Sequence, residues 1–230
     1  MGCITKHYLN ENTVLGVWKI EEEIGALLEN VTLSADDRKK YKGFRSNSRK
    51  LEFLSVRALL KELLGDEARI VYNKNNKPFL KEGTHFISIS HSHNLTSILL
   101  SSTDKVGIDL EYMSSNITAF AFKFLNRKEK VTKDREQKKY HLYIHWCAKE
   151  SLYKICDKEG ISLRRDITIE PFEVKDSGEI KGWVRTGRID ERFDLFYTRY
   201  ENYAIVWTRK AYENDDIKEQ KEFSATAGSR

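Results

Sequence analysis

The hydrophobic pattern of this 230-residue chain switches twice from helical to strand periodicity, and this order restricts the folds open to it. Residues 51–65, LEFLSVRALLKELLG, place apolar side chains at helical spacing and end at a glycine, which predicts a helix that stops there. Three alternating or β-branched runs follow and predict strands: HFISISHS, TSILLSS and KVGIDLEYM.

A second helical region begins near Ala119. A very polar helical pattern runs to about Lys139, and the amphipathic stretch YHLYIHWCAKESLYKICDKEG extends the helical pattern to Gly160. The later runs FEVKDSGEIKGWVR, RFDLFYTRY and YAIVWTRK alternate as antiparallel strands do. The order helix, strands, helix, strands predicts an α+β protein of two lobes, each with one long helix and several strands.

Composition narrows the class of protein. A hydrophobic fraction of 40% is enough for a packed core, and the net charge of +5 is spread along the chain, so an anionic small ligand fits it as well as a nucleic acid does. No apolar run is long enough to span a bilayer, and the start MGCITKHYLN lacks the apolar core of a secretory signal. We therefore expect a cytoplasmic protein. Cys3, Cys147 and Cys156 are too few and too unevenly spaced for a disulfide framework or a zinc site.

Two carboxylates interrupt the apolar strand GIDLEYM, residues 107–113. Side chains alternate faces along a strand, so Asp109 and Glu111 project together while Ile108 and Leu110 point into the core. Like charges this close repel unless a cation lies between them, and Mg²⁺ suits because it prefers carboxylate oxygens and keeps substrate phosphates as further ligands. The structural alternative is a pair of exposed acids that protects an edge strand from aggregation.

The helical stretch WCAKESLYKI carries a face that could complement this strand. Its positions i, i+4, i+7 and i+8 are Trp146, Glu150, Tyr153 and Lys154. Glu150 could supply a third carboxylate to a metal held by the strand. Glu150 and Lys154 could equally form only a helical ion pair, worth roughly a few tenths of a kcal/mol.

Several side chains that could bind a phosphate precede the acidic strand. His91 lies in SISHS, Lys77 precedes Pro78 in a turn rich in Asn, and Arg49 and Arg57 lie in the charged and helical segments before them. Taken singly, His91 could be a turn histidine satisfied by its flanking serines, and Arg57 could be solvated.

In order along the chain, NKP, ISISHS, GIDLE and WCAKESLYK resemble the motifs of the 4′-phosphopantetheinyl transferase superfamily, in its longer, two-lobed, surfactin-synthetase-activating form. The resemblance covers about Arg49 to Gly160, and the combination of GxDxE with WxxKExxxK makes it specific. It implies two similar α+β lobes, a pseudo-dimer, each with a helix packed on a small antiparallel sheet, and an active site between the lobes. We expect the nucleotide end of coenzyme A at residues 1–106, the Mg²⁺ and pyrophosphate site at residues 107–213, and a mobile tail at residues 214–230.

The reaction that the resemblance implies is transfer of the 4′-phosphopantetheine arm of coenzyme A to a serine of an apo acyl or peptidyl carrier protein, with release of adenosine 3′,5′-bisphosphate. Coenzyme A is then the co-substrate and Mg²⁺ the cofactor, with Mn²⁺ as a substitute. The expected partners are the carrier protein and coenzyme A, without nucleic acid or membrane, and a monomer suffices. Fatty-acid, polyketide and nonribosomal-peptide carriers all fit, and the excess of basic residues favours an acidic partner.

The resemblance also implies roles for single residues. By motif position, Asp109, Glu111 and Glu150 would hold Mg²⁺ against the pyrophosphate, and Lys154 would neutralise a pyrophosphate oxygen. Glu150 is the first candidate for the base that takes the serine proton, and Glu129 is the second.

The nucleotide end of coenzyme A, with its 3′-phosphate, would be held by Lys77, Pro78, His91, Arg57 and Arg49. One departure from the family pattern lies beside this set. Asn76 stands where relatives usually carry Gly, which bears on how closely the turn can approach the nucleotide.

Two functions from other classes remain open. A non-enzymatic basic protein that binds nucleic acid would agree with the many Lys, Arg and Tyr residues, although the sequence has neither an aromatic RNA motif nor a concentrated basic helix. A Mg²⁺-dependent phosphohydrolase acting on a coenzyme A-like pyrophosphate would use the same metal site with water in place of the serine.

Overall fold

The computed structural model describes residues 2–113 and 116–212, which form two compact units. One unit comprises residues 2–104 with residues 211–212, and the other comprises Lys105–Lys210. The predicted tail at residues 214–230 lies outside the described residues. The helices are α1 (Ile24–Asn30), α2 (Ala35–Gly43), α3 (Asn47–Leu64), α4 (Ile117–Phe124) and α5 (Arg135–Cys156). The strands are β1 (Cys3–Asn10), β2 (Thr13–Lys19), β3 (Ile70–Tyr72), β4 (Pro78–Leu80), β5 (Phe86–Ser92), β6 (Leu95–Ser101), β7 (Asp104–Tyr112), β8 (Ile167–Ile169), β9 (Ser177–Arg185), β10 (Asp190–Tyr200) and β11 (Tyr203–Ala211).

In the first unit, helix α3 packs on an antiparallel sheet with the strand order β1-β2-β6-β5. The helix begins at Asn47 rather than at Leu51, because the hydroxyl of Ser46 caps it by accepting the N–H of Arg49 at 3.5 Å. It ends before Gly65, whose φ of 88° is a left-handed conformation that glycine adopts without strain. The predicted helix and the strands that follow it are confirmed.

The hairpin formed by β3 and β4 turns at Asn76, which has a φ of 60°. Asparagine is one of the few residues besides glycine that visit this left-handed region routinely, so the turn keeps its shape without a glycine. The side-chain oxygen of Asn73 accepts the backbone N–H groups of Asn75 and Lys77, each at 2.9 Å. The turn therefore places Lys77 directly before strand β4.

Arg57 lies inside the first unit. Its Nη2 donates to Oδ1 of Asp37 at 2.7 Å, and both side chains are more than nine-tenths buried. The guanidinium also lies over the ring of Phe53, 3.5 Å from the ring centroid. The pair ties helix α2 to helix α3, and the alternative of a solvated Arg57 is wrong.

In the second unit, helix α5 packs on a sheet with the strand order β7-β11-β10-β9-β8. Its N-cap is Asp134, which accepts the N–H groups of Glu136 and Gln137 at 2.8 and 3.1 Å, and its C-cap is Asp157 in a left-handed conformation. The helical region after strand β7 differs from the prediction, because residues 125–134 separate α4 from α5. The side-chain oxygen of Asn126 accepts the N–H of Lys128 at 2.9 Å, a local turn that competes with a continuous helix.

Both units combine helices with sheets whose resolved pairings are antiparallel, so the α+β class is confirmed, while the likeness of the two lobes to each other stays a prediction. Within residues 2–113 and 116–212, no helix has the length and apolar content that a membrane-spanning segment requires.

Gly107 allows strand β7 to approach helix α5 closely. A Cβ added at Gly107 would overlap the backbone oxygen of Ser151 and lie 3.1 Å from Cβ of Ile155. Ser151 itself is enclosed, and its hydroxyl donates to the backbone oxygen of Val206 at 2.9 Å, so it cannot move aside freely. Any larger residue at position 107 must therefore push the strand and the helix apart.

Replacing Asp37 by Asn should lower the free energy of unfolding by about 3 kcal/mol, because it leaves the buried guanidinium of Arg57 without a counter-charge. Urea unfolding measures the change. Asp36→Asn is the matched control, since Asp36 is exposed in the same helical turn. Equal stability of the two variants would contradict a structural role for the ion pair.

Gly107→Ala should lower the free energy of unfolding by about 2–3 kcal/mol, because the added methyl group overpacks the contact between β7 and α5. The control is Gly25→Ala in helix α1, where an added Cβ meets nothing within 4 Å. Alanine is a better helix former than glycine, so this control should be neutral or more stable by up to about 1 kcal/mol. Two denaturation curves that shift in the same direction would refute the close approach.

Candidate active site

The two acids of strand β7 contact opposite ends of one face of helix α5. Lys154 Nζ donates to Asp109 Oδ1 at 2.7 Å and to the backbone oxygen of Ile108 at 2.9 Å. Two turns earlier, Trp146 Nε1 donates to Glu111 Oε1 at 3.4 Å. Glu150 lies between Trp146 and Lys154 on the same face.

Burial distinguishes this cluster from a pair of surface acids. Asp109 is only 6% exposed, and its strand neighbours Ile108 and Leu110 are enclosed in the core as predicted. The alternative of exposed acids on an edge strand therefore does not hold for Asp109. The structure brings Asp109, Glu111, Glu150 and Lys154 together within the second unit.

The electrostatics of Glu150 reflect its neighbours. The pKa of Glu150 is raised to about 7, mainly by burial and also by the negative charges of Asp109 and Glu111, while the ammonium of Lys154 acts in the opposite direction. A carboxylate that shares its site with two others ionises reluctantly unless more positive charge is present. The cluster is therefore short of positive charge.

A hard divalent cation is the ligand that such a cluster fits by its chemistry. Within the described ranges 2–113 and 116–212, no three or more His, Cys, Asp or Glu side chains already form a group that could hold a metal ion. Lys154 supplies the positive charge at Asp109. Besides burial, repulsion from Asp109 and Glu111 contributes to the raised pKa of Glu150, and Mg²⁺ would relieve that repulsion.

Glu129 lies in an enclosed site. Its side chain has no exposure, Oε2 lies 2.8 Å from Lys149 Nζ, and the two oxygens accept the N–H groups of Asn126 and Ile169 at 2.8 Å each. Burial opposes ionisation, but attraction to His145 and the ion pair with Lys149 outweigh it and lower the pKa of Glu129. A buried carboxylate with both oxygens engaged is poorly placed to meet a substrate hydroxyl. The geometry favours Glu150 over Glu129 as the base, and the role of Glu129 in catalysis stays a prediction.

The ammonium of Lys149 is satisfied on all sides. Besides Glu129, it donates to the backbone oxygens of Phe124, Leu163 and Ile167 at 2.8 to 3.0 Å. The pKa of Lys149 is lowered by burial, an effect that the charge of Glu129 partly offsets. The four surrounding oxygens are acceptors for the N–H groups of a charged ammonium.

Sequence reasoning missed the partners of this buried pair. Lys149 follows His145 and His141 at intervals of four residues, and the two imidazole rings stack 5.0 Å apart. This spacing is the only sequence signal for a second, buried polar face on α5, and a lysine or histidine in a helix more often faces solvent.

In the first unit, two of the predicted nucleotide-binding residues meet at an acid that sequence reasoning also missed. Arg49 Nη1 lies 2.7 Å from Glu52 Oε2, and His91 Nδ1 lies 3.6 Å from the same oxygen. The spacing of three between Arg49 and Glu52 is a helical ion-pair signal, but their approach to His91 depends on the fold. Arg49 remains about half exposed, with 54% of its side chain accessible.

The remaining members of that set occupy other positions. Lys77 Nζ lies 5.6 Å from the centroid of the Phe79 ring on the β3–β4 hairpin, and Pro78 is the first residue of β4. Arg57 is held by Asp37. Of the predicted set, the structure joins Arg49 and His91 through Glu52, whereas Lys77 and Pro78 lie on the β3–β4 hairpin and Arg57 is engaged with Asp37.

Glu150 should make stability depend on pH in the absence of divalent cations. The ordinary pKa of its carboxyl is 4.5 and the folded value is about 7, so the unfolded chain loses this proton first as pH rises. The free energy of unfolding of the unsubstituted protein, relative to Glu150→Gln, should therefore fall by about 3 kcal/mol between pH 4.5 and 8, because each tenfold difference in proton affinity is worth about 1.4 kcal/mol. Urea titrations in a chelator measure it, and a difference that is independent of pH would contradict the raised pKa.

The second unit is similar in sequence to known proteins. Residues 105–210, which include β7 and α5, match the family model described as the 4′-phosphopantetheinyl transferase superfamily. Over 154 residues the chain is 28% identical to the 4′-phosphopantetheinyl transferase HetI of Nostoc sp., a match that spans 60% of this chain and 65% of that relative, slightly less than two thirds of its length. The resemblance of the motifs to the 4′-phosphopantetheinyl transferase superfamily is thereby confirmed for residues 105–210.

Proposed function

We propose that the protein transfers the 4′-phosphopantetheine arm of coenzyme A to a serine of an apo acyl or peptidyl carrier protein and releases adenosine 3′,5′-bisphosphate. The observation that carries this proposal is the convergence of Asp109, Glu111, Glu150 and Lys154 on β7 and α5, within the residues that match the family. The relative HetI, which is named as a 4′-phosphopantetheinyl transferase, is a second support.

The reaction is a displacement at phosphorus. The serine oxygen forms a bond to the phosphorus that carries the pantetheine arm, and the bond from that phosphorus to the bridging pyrophosphate oxygen breaks. The electron pair leaves with adenosine 3′,5′-bisphosphate, and the serine proton passes to a base. Such transfers depend on positioning and charge neutralisation more than on covalent participation by the protein.

The acidic cluster would serve this reaction through charge. Asp109, Glu111 and Glu150 would hold Mg²⁺, with Mn²⁺ as a substitute, and a bound divalent ion supplies positive charge to the pyrophosphate oxygens. Lys154, oriented by Asp109, would contribute a second positive charge to the leaving group. Glu150 is also the proposed base that accepts the serine proton.

The first unit would hold the nucleotide end of coenzyme A. Arg49, Lys77 and His91 carry or can carry the positive charge that a 3′-phosphate requires, and Pro78 fixes the start of the strand beside Lys77. Arg57 would act indirectly, by stabilising the first unit that carries these residues, because its guanidinium is paired with Asp37.

The first test is the intact mass of an apo carrier protein after incubation with the protein, coenzyme A and Mg²⁺. The carrier should gain one phosphopantetheine, and a chelator should abolish the gain. Asp109→Asn and Glu150→Gln should each lower the rate by about 100-fold or more, because each removes a charge from the transition-state site. Asp190→Asn is the control, since Asp190 is a 72% exposed carboxylate of the same unit, paired with Arg185 at the surface.

Other outcomes of this test have clear meanings. Release of free phosphopantetheine without a carrier would replace the transferase with a phosphohydrolase. Full turnover by Glu150→Gln with normal coenzyme A binding would remove Glu150 as the base. No transfer to fatty-acid, polyketide or peptide-synthetase carriers would refute the proposed function.

A further inference from the structure

An acidic side chain lies among the residues proposed to hold the nucleotide end of coenzyme A. Glu52 is on helix α3, and its Oε2 lies 2.7 Å from Nη1 of Arg49 and 3.6 Å from Nδ1 of His91. Its other oxygen, Oε1, accepts the hydroxyl of Ser48 at 3.3 Å. Both oxygens of this carboxylate therefore face groups that could otherwise serve an anion from outside the protein.

Burial and a tertiary contact distinguish Glu52 from an ordinary acid in a helical ion pair. Only 16% of its side chain is exposed, compared with 54% for Arg49 and 35% for His91. The contact with Arg49 follows from a spacing of three along α3, but His91 reaches the same oxygen from strand β5. The two groups that can carry positive charge are thus the more accessible members of the set, and the acid is the inner one.

The charge of this set suits a phosphate less well than its basic members alone would. Arg49 contributes one positive charge and Glu52 cancels it, so the positive charge that remains depends on the protonation of His91. A phosphate monoester carries a charge of about −1.5 to −2 at neutral pH. A phosphate bound at Arg49 and His91 would lie close to the carboxylate of Glu52, and like charges at short range repel.

We propose that Glu52 competes with the 3′-phosphate of coenzyme A for Arg49 and His91, and that it thereby lowers the protein's preference for coenzyme A over 3′-dephospho-coenzyme A. This inference rests on the proposed function and its nucleotide site. The phosphate must displace Oε2 of Glu52 or share its contacts, whereas a coenzyme that carries a 3′-hydroxyl meets no such repulsion. Glu52 is thus a specificity-determining residue rather than a catalytic one.

The opposite role, in which Glu52 helps binding by orienting Arg49, is the smaller effect. A half-exposed ion pair on a helix stabilises its geometry only slightly, so Arg49 gains little orientation from Glu52. A phosphate with nearly two negative charges meets a full negative charge at the same place, and such a juxtaposition of like charges at a binding site costs much more. Removing the charge of Glu52 should therefore strengthen phosphate binding.

The test is calorimetric titration of the unsubstituted protein and of Glu52→Gln with coenzyme A and with 3′-dephospho-coenzyme A, each in the presence of Mg²⁺. Glutamine keeps the size of the side chain and removes its charge. The affinity for coenzyme A should rise about fivefold or more, because the phosphate no longer faces a carboxylate. The affinity for 3′-dephospho-coenzyme A should change by less than about twofold, because that ligand carries no charge at this position.

Two further variants of helix α3 control this result. Glu62→Gln removes the same charge from an exposed position of the same helix, and it should leave the ratio of the two affinities unchanged. Arg49→Gln should act in the direction opposite to Glu52→Gln and lower the affinity for coenzyme A alone, by about tenfold, because it removes the permanent cation of the set. Unfolding curves verify that each variant is folded.

The outcomes separate this inference from the function beneath it. Equal gains for the two coenzymes, no gain, or a loss of affinity for coenzyme A in Glu52→Gln would each overturn the proposed role of Glu52. Transfer of phosphopantetheine by the unsubstituted protein would then leave the transferase intact. Binding of neither coenzyme to the unsubstituted protein would overturn both proposals. A gain confined to coenzyme A would establish Glu52 as a residue that sets the selectivity for the 3′-phosphate.

Discussion

The close approach of helix α5 to strand β7 is the contact on which the candidate site depends. Gly107 permits it, because a side chain there would overlap the backbone of α5 at Ser151. Once helix and strand lie this close, side chains two turns apart on the helix can reach alternate residues of the strand, and Trp146 and Lys154 contact the two acids. The motif glycine and the motif acids are thus parts of one packing arrangement.

Two charge clusters on α5 show how the same helix can serve stability and chemistry. Glu129 and Lys149 are enclosed, and every donor of the ammonium has an oxygen within 3.0 Å, so this pair holds segments together and has no capacity left for a ligand. Around Glu150 the charges are not balanced in this way, because the three carboxylates of Asp109, Glu111 and Glu150 share the single ammonium of Lys154. Buried acids that the protein itself leaves under-compensated are typical of sites that bind a cation or transfer a proton. The adjacent residues Lys149 and Glu150 therefore lie in opposite electrostatic settings, one fully paired and the other crowded by like charge.

The sequence allowed the parts with local signals to be predicted. The periodicity of α3 and α5, the alternation of β5 to β7 and the shared face of Trp146, Glu150 and Lys154 are all visible within a few turns or pairs of residues. The ion pair of Arg57 with Asp37 and the approach of Glu52 to His91 were not predictable, because each joins residues 20 or more positions apart whose contact depends on the tertiary fold. Helix α3 begins at Asn47 instead of the predicted Leu51 for a local reason, since the Ser46 cap stabilises a first turn that has little hydrophobicity.

The unpredicted break between α4 and α5 follows from the buried pair and shapes the outer surface. Glu129 contacts Lys149 from the non-helical segment between α4 and α5. Lys149 also caps the end of α4, because its ammonium donates to the carbonyl of Phe124, the last residue of that helix. Drawing the single acid of residues 117–133 inward leaves the basic side chains and the rings of Phe120 and Phe122 outside. Together with the Asn126 turn, this interior ion pair helps to end helix α4 and fixes the segment next to the acidic cluster.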